Sequence, residues 1–333
     1  MLAYIVRRML IAIPVLLVST ILVFLMVSLS GDPLSDLKFT ARQKNSPAVA
    51  EQIIHAEQHR LRLDQPLPQR YVNWISGVVL HGDFGPARHL DGSIASNLWD
   101  RMKTTGTMVL AAMFLALLMA VVVGVVSAVR QYSALDYGFT FAGFLFLSMP
   151  VFWLAVLLKE FLAVRINNAL GHTFLYTIGS DTPGLTGGFW THFTNTLGHL
   201  VLPTLVLAMT SYAAWSRFQR ASMLDVLNTD YVRLAKAKGL SNRRVLVRHA
   251  LRTAMIPLAT VVAIDFAGLL SGAIITETVF SWEGMGRMLL KGIQDKDVYV
   301  VLAWLLIAAV LVIVFNLIAD ILYALLDPRI RLD

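Results

Sequence analysis

Residues 216–257 read SRFQRASMLDVLNTDYVRLAKAKGLSNRRVLVRHALRTAMIP, a charged island between two apolar segments. Its basic residues are Arg217, Arg220, Arg233, Lys236, Lys238, Arg243, Arg244, Arg248 and Arg252, set against Asp225 and Asp230. The resulting net charge of +7 equals that of the whole 333-residue chain, so everything else sums to zero. Asp230–Lys238 predicts a short helix. Gly239 stands where a left-handed cap would end it, a backbone region that glycine enters without steric cost. Ser241 predicts the N-cap of a second helix running to Pro257. Arg244, Arg248 and Arg252 recur at i, i+4 and i+8, a like-charge stripe that destabilises a free helix and calls for acidic lipid or an acidic partner.

Outward from the island, the composition points to a membrane. Hydrophobic residues make up 57% of the chain and charged residues 15%, and the charges are absent from long runs. Six stretches have spanning character: Met9–Ser30, Thr105–Val129, Tyr137–Ala163, Leu197–Trp215, Leu258–Ile275 and Val298–Tyr323. The expected fold is therefore an all-α polytopic membrane protein. By the positive-inside rule, Arg7 and Arg8 place the N-terminus in the cytoplasm, and six spans return Arg130, the basic island, Arg329 and Arg331 to the same side. Residues 1–30 form the N-terminus and first span, 31–103 an extracytoplasmic region, 104–325 the core, and 326–333 a cytoplasmic tail. Pro14 can kink the first span without breaking it, Pro150 stands mid-span in the third, and Pro203 marks a kink in the fourth. Lys159 and Glu160, near the outer end of the third span, either snorkel or pair.

Within residues 31–103, Pro47–Leu63 and Gln69–Leu80 predict helices. Tyr71, Trp74 and Ile75 are available for an interfacial belt or a small local core. His55, His59, His81 and His89 lack the spacing of a metal site. Cysteine is absent, which excludes disulfides and thiolate chemistry. The chain carries no phosphate-binding G-x-x-x-x-G-K-[ST], no H-E-x-x-H and no G-x-S-x-G, so neither ATP hydrolysis nor proteolysis by these routes belongs to it. Asp265 is the clearest ionisable residue inside a predicted span, roughly 12 Å along a helix from Pro257. It either faces a pore or bonds to a neighbouring helix. Gly268 and Gly272 form a small-xxx-small face for close helix packing.

The order DYVRLAKAKGLS (230–241), followed by the Ile256-Pro257 pair, resembles the cytoplasmic EAA loop of ABC importer permeases, in the version carried by peptide importers. Arg233 and Leu234 replace the usual letters before Ala235. Five further stretches resemble the same family: Gly31-Asp32-Pro33; LDQPLPQRYVNW (63–74) with GDFG (82–85); HLVLPTLVLAM (199–209); ETVFSWEGMGRMLLKGIQDKD (277–297); and the ending NLIADILYALLDPRIRLD (316–333). Glu283-Gly284 stands where the family has Pro-Gly. The resemblance implies the MetI-like type I importer fold with an extracytoplasmic insert. It also implies a pore shared with a homologous second permease, a peptide-binding protein outside, and two ATP-binding subunits or one fused ATPase inside. ATP and Mg would then sit on those partners, with no cofactor and no nucleic acid on this chain. Asp230, Tyr231, Ala235, Ala237, Gly239 and Leu240 become the expected ATPase-coupling residues, with Ala235 and Ala237 small enough to seat in a groove. The implied cargo is di- or oligopeptide; relatives of this kind also import nickel complexes, haem or glutathione. From the residues alone, a stand-alone secondary transporter or channel and a lipid-bound adaptor remain alternatives.

Overall fold

Helix follows helix through the chain, with no strand among the described residues. The computed structural model describes residues 2–88 and 90–326, so His89 and the tail carrying Arg329 and Arg331 lie outside the described residues. The helices are α1 (Leu2–Leu29), α2 (Ser35–Lys44), α3 (Pro47–Arg60), α4 (Leu67–His81), α5 (Ile94–Val129) and α6 (Ala134–Ser148). They continue with α7 (Val151–Leu170), α8 (Phe189–Leu227), α9 (Asp230–Ala237), α10 (Asn242–Ile264), α11 (Phe266–Phe280), α12 (Met285–Gln294) and α13 (Val298–Leu326). Among the described residues five helices are long and apolar enough to cross a membrane, or six spans if the bent pair α6–α7 counts as one.

The spans differ from the sequence expectation in four ways. Helix α5 starts at Ile94 rather than Thr105, and α8 runs 39 residues, so Arg217 and Arg220 continue a span instead of opening a loop. The third span is not one kinked helix: α6 and α7 meet at an angle of 109°. Met149, just before Pro150, is extended (φ −81°, ψ 128°), as the proline ring demands of its predecessor. The fifth span lies further upstream than Leu258–Ile275. Ser241 has N-cap geometry but makes no side-chain cap, and the helix it starts passes through a wide π-helical turn at Val245–Leu251 and then through Pro257. Proline's fixed φ suits a helix and forfeits one hydrogen bond there, which bundle packing absorbs. The real interruption is Asp265 (φ −72°, ψ −8°), which separates α10 from α11.

The chain divides into two units, one built on Thr104–Glu283 with the first residues of α1 and the last part of α13, the other on Arg7–Lys103 with Gly284–Leu311. In the second unit Phe24 meets Tyr71 edge-on at 5.4 Å and stacks on Trp74 at 6.3 Å, and the Trp74 indole donates to the Phe84 carbonyl at 3.1 Å. This is the small local core among the two alternatives for Tyr71 and Trp74. Helix α2 is not among the helices the sequence predicts for residues 31–103. Asp32 Oδ1 accepts the Leu34 N–H at 2.9 Å and Oδ2 the Lys38 ammonium at 2.7 Å, which starts the helix, while Leu34 is fully buried. The Arg88 N–H donates to Asp297 at 2.6 Å and the Tyr299 hydroxyl to the Leu61 carbonyl at 2.9 Å, tying residues 31–103 to the start of α13.

In the first unit, residues 174–182 are lashed to α8. The Tyr176 N–H donates to the Gly198 carbonyl at 3.1 Å, Tyr176 stacks on His199 at 4.1 Å, and His199 Nδ1 lies 2.9 Å from the Gly179 carbonyl oxygen. His199 is buried.

Candidate functional site

The short helix forms where its residues require it. Thr229 is extended at the N-cap position (φ −75°, ψ 153°), but its hydroxyl donates back to the Val226 carbonyl at 2.6 Å instead of capping. Asp230 opens the first turn, where a negative charge suits the helix dipole, and its fully exposed carboxylate lies 3.8 Å from Arg233. At the other end Gly239 is left-handed (φ +78°). Its N–H donates to Lys236 at 2.9 Å and that of Leu240 to Ala235 at 3.4 Å, the paired bonds of a Schellman cap. The expected glycine stop is therefore in place.

Helical period then sorts the side chains. Val232 and Ala235 point inward and are buried with Ala128 of α5, Met223 and Val226 of α8, and Val245, Ala250 and Ala254 of α10. Leu240 is partly buried against the same cluster. Tyr231 and Leu234 point the other way, 43% and 55% exposed, with Ala237, Lys238 and Gly239 also exposed. This corrects the expectation for Ala235, whose small side chain seats α9 on its own chain, not in a groove elsewhere. Leu234 was noted in the sequence only as a departure from the motif. The i, i+3 spacing puts it on the same face as Tyr231, and packing of the opposite face turns that face outward.

Asp265 bonds to a neighbouring helix: the Trp215 indole N–H of α8 donates to Oδ2 at 2.7 Å. Oδ1 has no hydrogen-bond partner among the described residues, and the side chain is half-buried. The two glycines of the small face part company. A Cβ on Gly272 would lie 3.2 Å from Leu207 of α8, whereas one on Gly268 would meet nothing within 4 Å and the residue is exposed. Close packing within this chain therefore uses Gly272.

With this geometry in place the chain can be set against known proteins. A family model described as "Binding-protein-dependent transport system inner membrane component" matches residues 120–332, and the corresponding N-terminal model matches residues 1–97. The chain belongs to this family of inner membrane transport components. The oligopeptide transport system permease protein OppB of Mycobacterium tuberculosis H37Rv is 38% identical over 331 residues, covering 99% of both chains. AppB of Bacillus subtilis 168, another oligopeptide permease protein, is 39% identical over 333 residues, covering 99% of this chain and 100% of its own. The dipeptide transport system permease protein DppB of Escherichia coli K12 is 36% identical over 346 residues, covering 99% of both. A chain of the inward-facing MetNI methionine ABC transporter shares the fold with a TM-score of 0.53 at 14% identity, over 72% of this chain and all of its own.

Seen as such a membrane component, the chain holds further buried polar residues that sequence reasoning did not single out. Glu277, the first residue of the family-like stretch 277–297, is fully buried in α11 and accepts a hydrogen bond from the Thr105 hydroxyl of α5. Asp136 is buried against Arg220 of the basic island. Both acids stand in apolar neighbourhoods of the sequence, but their partners lie 172 and 84 residues away, so no local pattern announces the pairing.

Proposed function

We propose that this chain is the permease subunit of an ATP-driven importer of short peptides, lining the pathway together with a homologous second permease. A binding protein delivers the peptide from outside, and two ATPase subunits, or one fused pair, hydrolyse ATP with Mg on the cytoplasmic side, where the basic island and both termini lie. The observation that carries the reading is the α9 knob. An apolar pair, Tyr231 and Leu234, stands exposed on a short helix whose opposite face is packed onto the ends of α5, α8 and α10. A subunit that grips this pair moves helices on which spans depend, which is how closure of an ATPase becomes opening of a pathway. The names of the relatives support peptide as the cargo, with nickel complexes, haem or glutathione as competing substrates. The test is reconstitution with the partners into liposomes. ATP-dependent uptake of labelled di- or oligopeptide that requires the binding protein is expected; uptake by this chain alone, driven by an ion gradient, would identify a secondary transporter.

Asp265 enters this reading through its two oxygens. Oδ2 holds Trp215, and Oδ1 is offered to water or passing substrate on the pore side of the bundle. Asp265→Asn keeps an acceptor for the indole and removes the charge, so turnover or substrate preference should change while the complex assembles. Asp265→Leu removes the acceptor as well and should weaken assembly, since a hydrogen bond to a charged group contributes about 1.5–3 kcal/mol. Wild-type transport by the Asn variant, with only Leu failing, would reduce Asp265 to a packing residue.

A further inference from the structure

One turn before the cluster that seats α9, Arg220 grips Asp136 with a two-pronged fork. Its Nε donates to Oδ1 at 2.9 Å and its Nη2 to Oδ2 at 2.8 Å. The carboxylate is 4% exposed and also accepts the Tyr132 N–H at 3.0 Å, while the Ser133 hydroxyl caps α6 by accepting the Asp136 N–H at 3.4 Å. Tyr132 itself is held left-handed (φ +62°), an uncommon state for a residue with a Cβ. The whole turn between α5 and α6 is thus shaped around one carboxylate, and that carboxylate is bonded to α8.

The position of this pair matters more than its strength. Arg220 lies three residues before Met223 and six before Val226, the two α8 residues beneath α9. Beside it Gln219 is fully buried, and a Cβ on Gly124 of α5 would come within 2.7 Å of it, so the α5 and α8 backbones are in tight approach at the same level. Elsewhere α6 meets α8 through Phe146 edge-on to Tyr212 at 6.4 Å, Phe144 beneath the Arg217 guanidinium at 5.0 Å, and one long hydrogen bond from the Tyr212 hydroxyl to the Phe139 carbonyl at 3.4 Å. Aromatic contacts of this kind tolerate sliding. A planar guanidinium bonded through two of its nitrogens to both oxygens of a carboxylate fixes distance and direction together.

We infer that the Asp136–Arg220 fork is a positioning pair for coupling: it pins the register of α6 on α8, so that a displacement of α9 reaches α6 as well as α8 and α10. A merely structural ion pair is the competing account, and a buried pair is a poor source of net stability compared with well-packed apolar residues. The inference rests on the reading of α9 as the docking point for the ATPase.

The experiment uses the complete reconstituted transporter carrying Asp136→Asn or Arg220→Lys. The first keeps the shape and removes the charge; the second keeps the charge and loses the fork. ATPase attachment, ATP hydrolysis stimulated by the binding protein, and peptide imported per ATP are measured together. Both variants should assemble and hydrolyse ATP near the wild-type rate, while import per ATP falls about tenfold, within the usual range of coupling between sites. Unchanged import per ATP in either assembled variant would overturn the inference. So would failure of both variants to assemble, which would make the pair a fold element only. Failure of the docking reading shows differently, as ATPase subunits that never co-purify with the wild-type chain, and it would remove the basis of the inference with it.

Discussion

Replacing Leu234 by aspartate should detach the ATPase subunits from the membrane complex and abolish import. The side chain is 55% exposed in the chain alone, next to Tyr231 at 43%, and neither supports the cluster beneath α9. A leucine fully buried against a partner contributes roughly 1.5–3 kcal/mol, and a carboxylate forced into the same groove without a partner adds a desolvation cost. Association should therefore weaken at least about a hundredfold, a change of roughly 2.7 kcal/mol or more. The chain should still insert and remain folded, because Val232 and Ala235 still seat the helix. Co-purification of the ATPase subunits with the tagged variant measures the effect, and wild-type recovery would falsify the docking face. Gly239→Val should act more mildly. No neighbour lies within 4 Å of the added Cβ, but at φ +78° a β-branched residue costs roughly 1–2 kcal/mol, loosening the end of α9 without removing its outward face.

The second large effect is expected at Gly198, and it concerns the fold. A Cβ on Gly198 would collide with the Phe174 carbonyl oxygen and would come 2.9 Å from the Tyr176 ring. The carbonyl is backbone and cannot rotate aside, so even Gly198→Ala must push residues 174–176 away from α8. That displacement breaks the Tyr176 N–H bond to Gly198 and disturbs the stack of Tyr176 on buried His199. Overpacking of this kind costs about 1–3 kcal/mol before the lost bonds are counted. The apparent unfolding temperature in detergent should fall by several degrees, and limited proteolysis should cut within residues 171–188. Gly268→Ala is the internal control. Its added Cβ meets nothing within 4 Å, so an equal loss at both glycines would mean that the collision at Gly198 is not the cause.

These two residues mark the limit of what the sequence conveys. The apolar runs determine the all-α membrane class, because no other backbone arrangement of that length satisfies its own polar groups in lipid. The charge island and Gly239 determine α9 just as directly, since a left-handed stop after a short amphipathic run is a local property. Motif order alone suffices to place the chain in its family.

What the sequence leaves open is which residue faces which. Ala235 and Leu234 are neighbours in the same helix, and only the packing of Val232 against Met223 and Val245 decides that alanine turns in and leucine out. Met149 and Asp265 interrupt spans that hydropathy reads as continuous, because hydropathy averages over a turn and is blind to a single backbone angle. Asp136 and Glu277 are buried acids whose partners lie far along the chain, and the collision awaiting a side chain at Gly198 comes from a loop some twenty residues upstream. Each depends on distances between segments that chain order does not encode, so tertiary structure alone decides them.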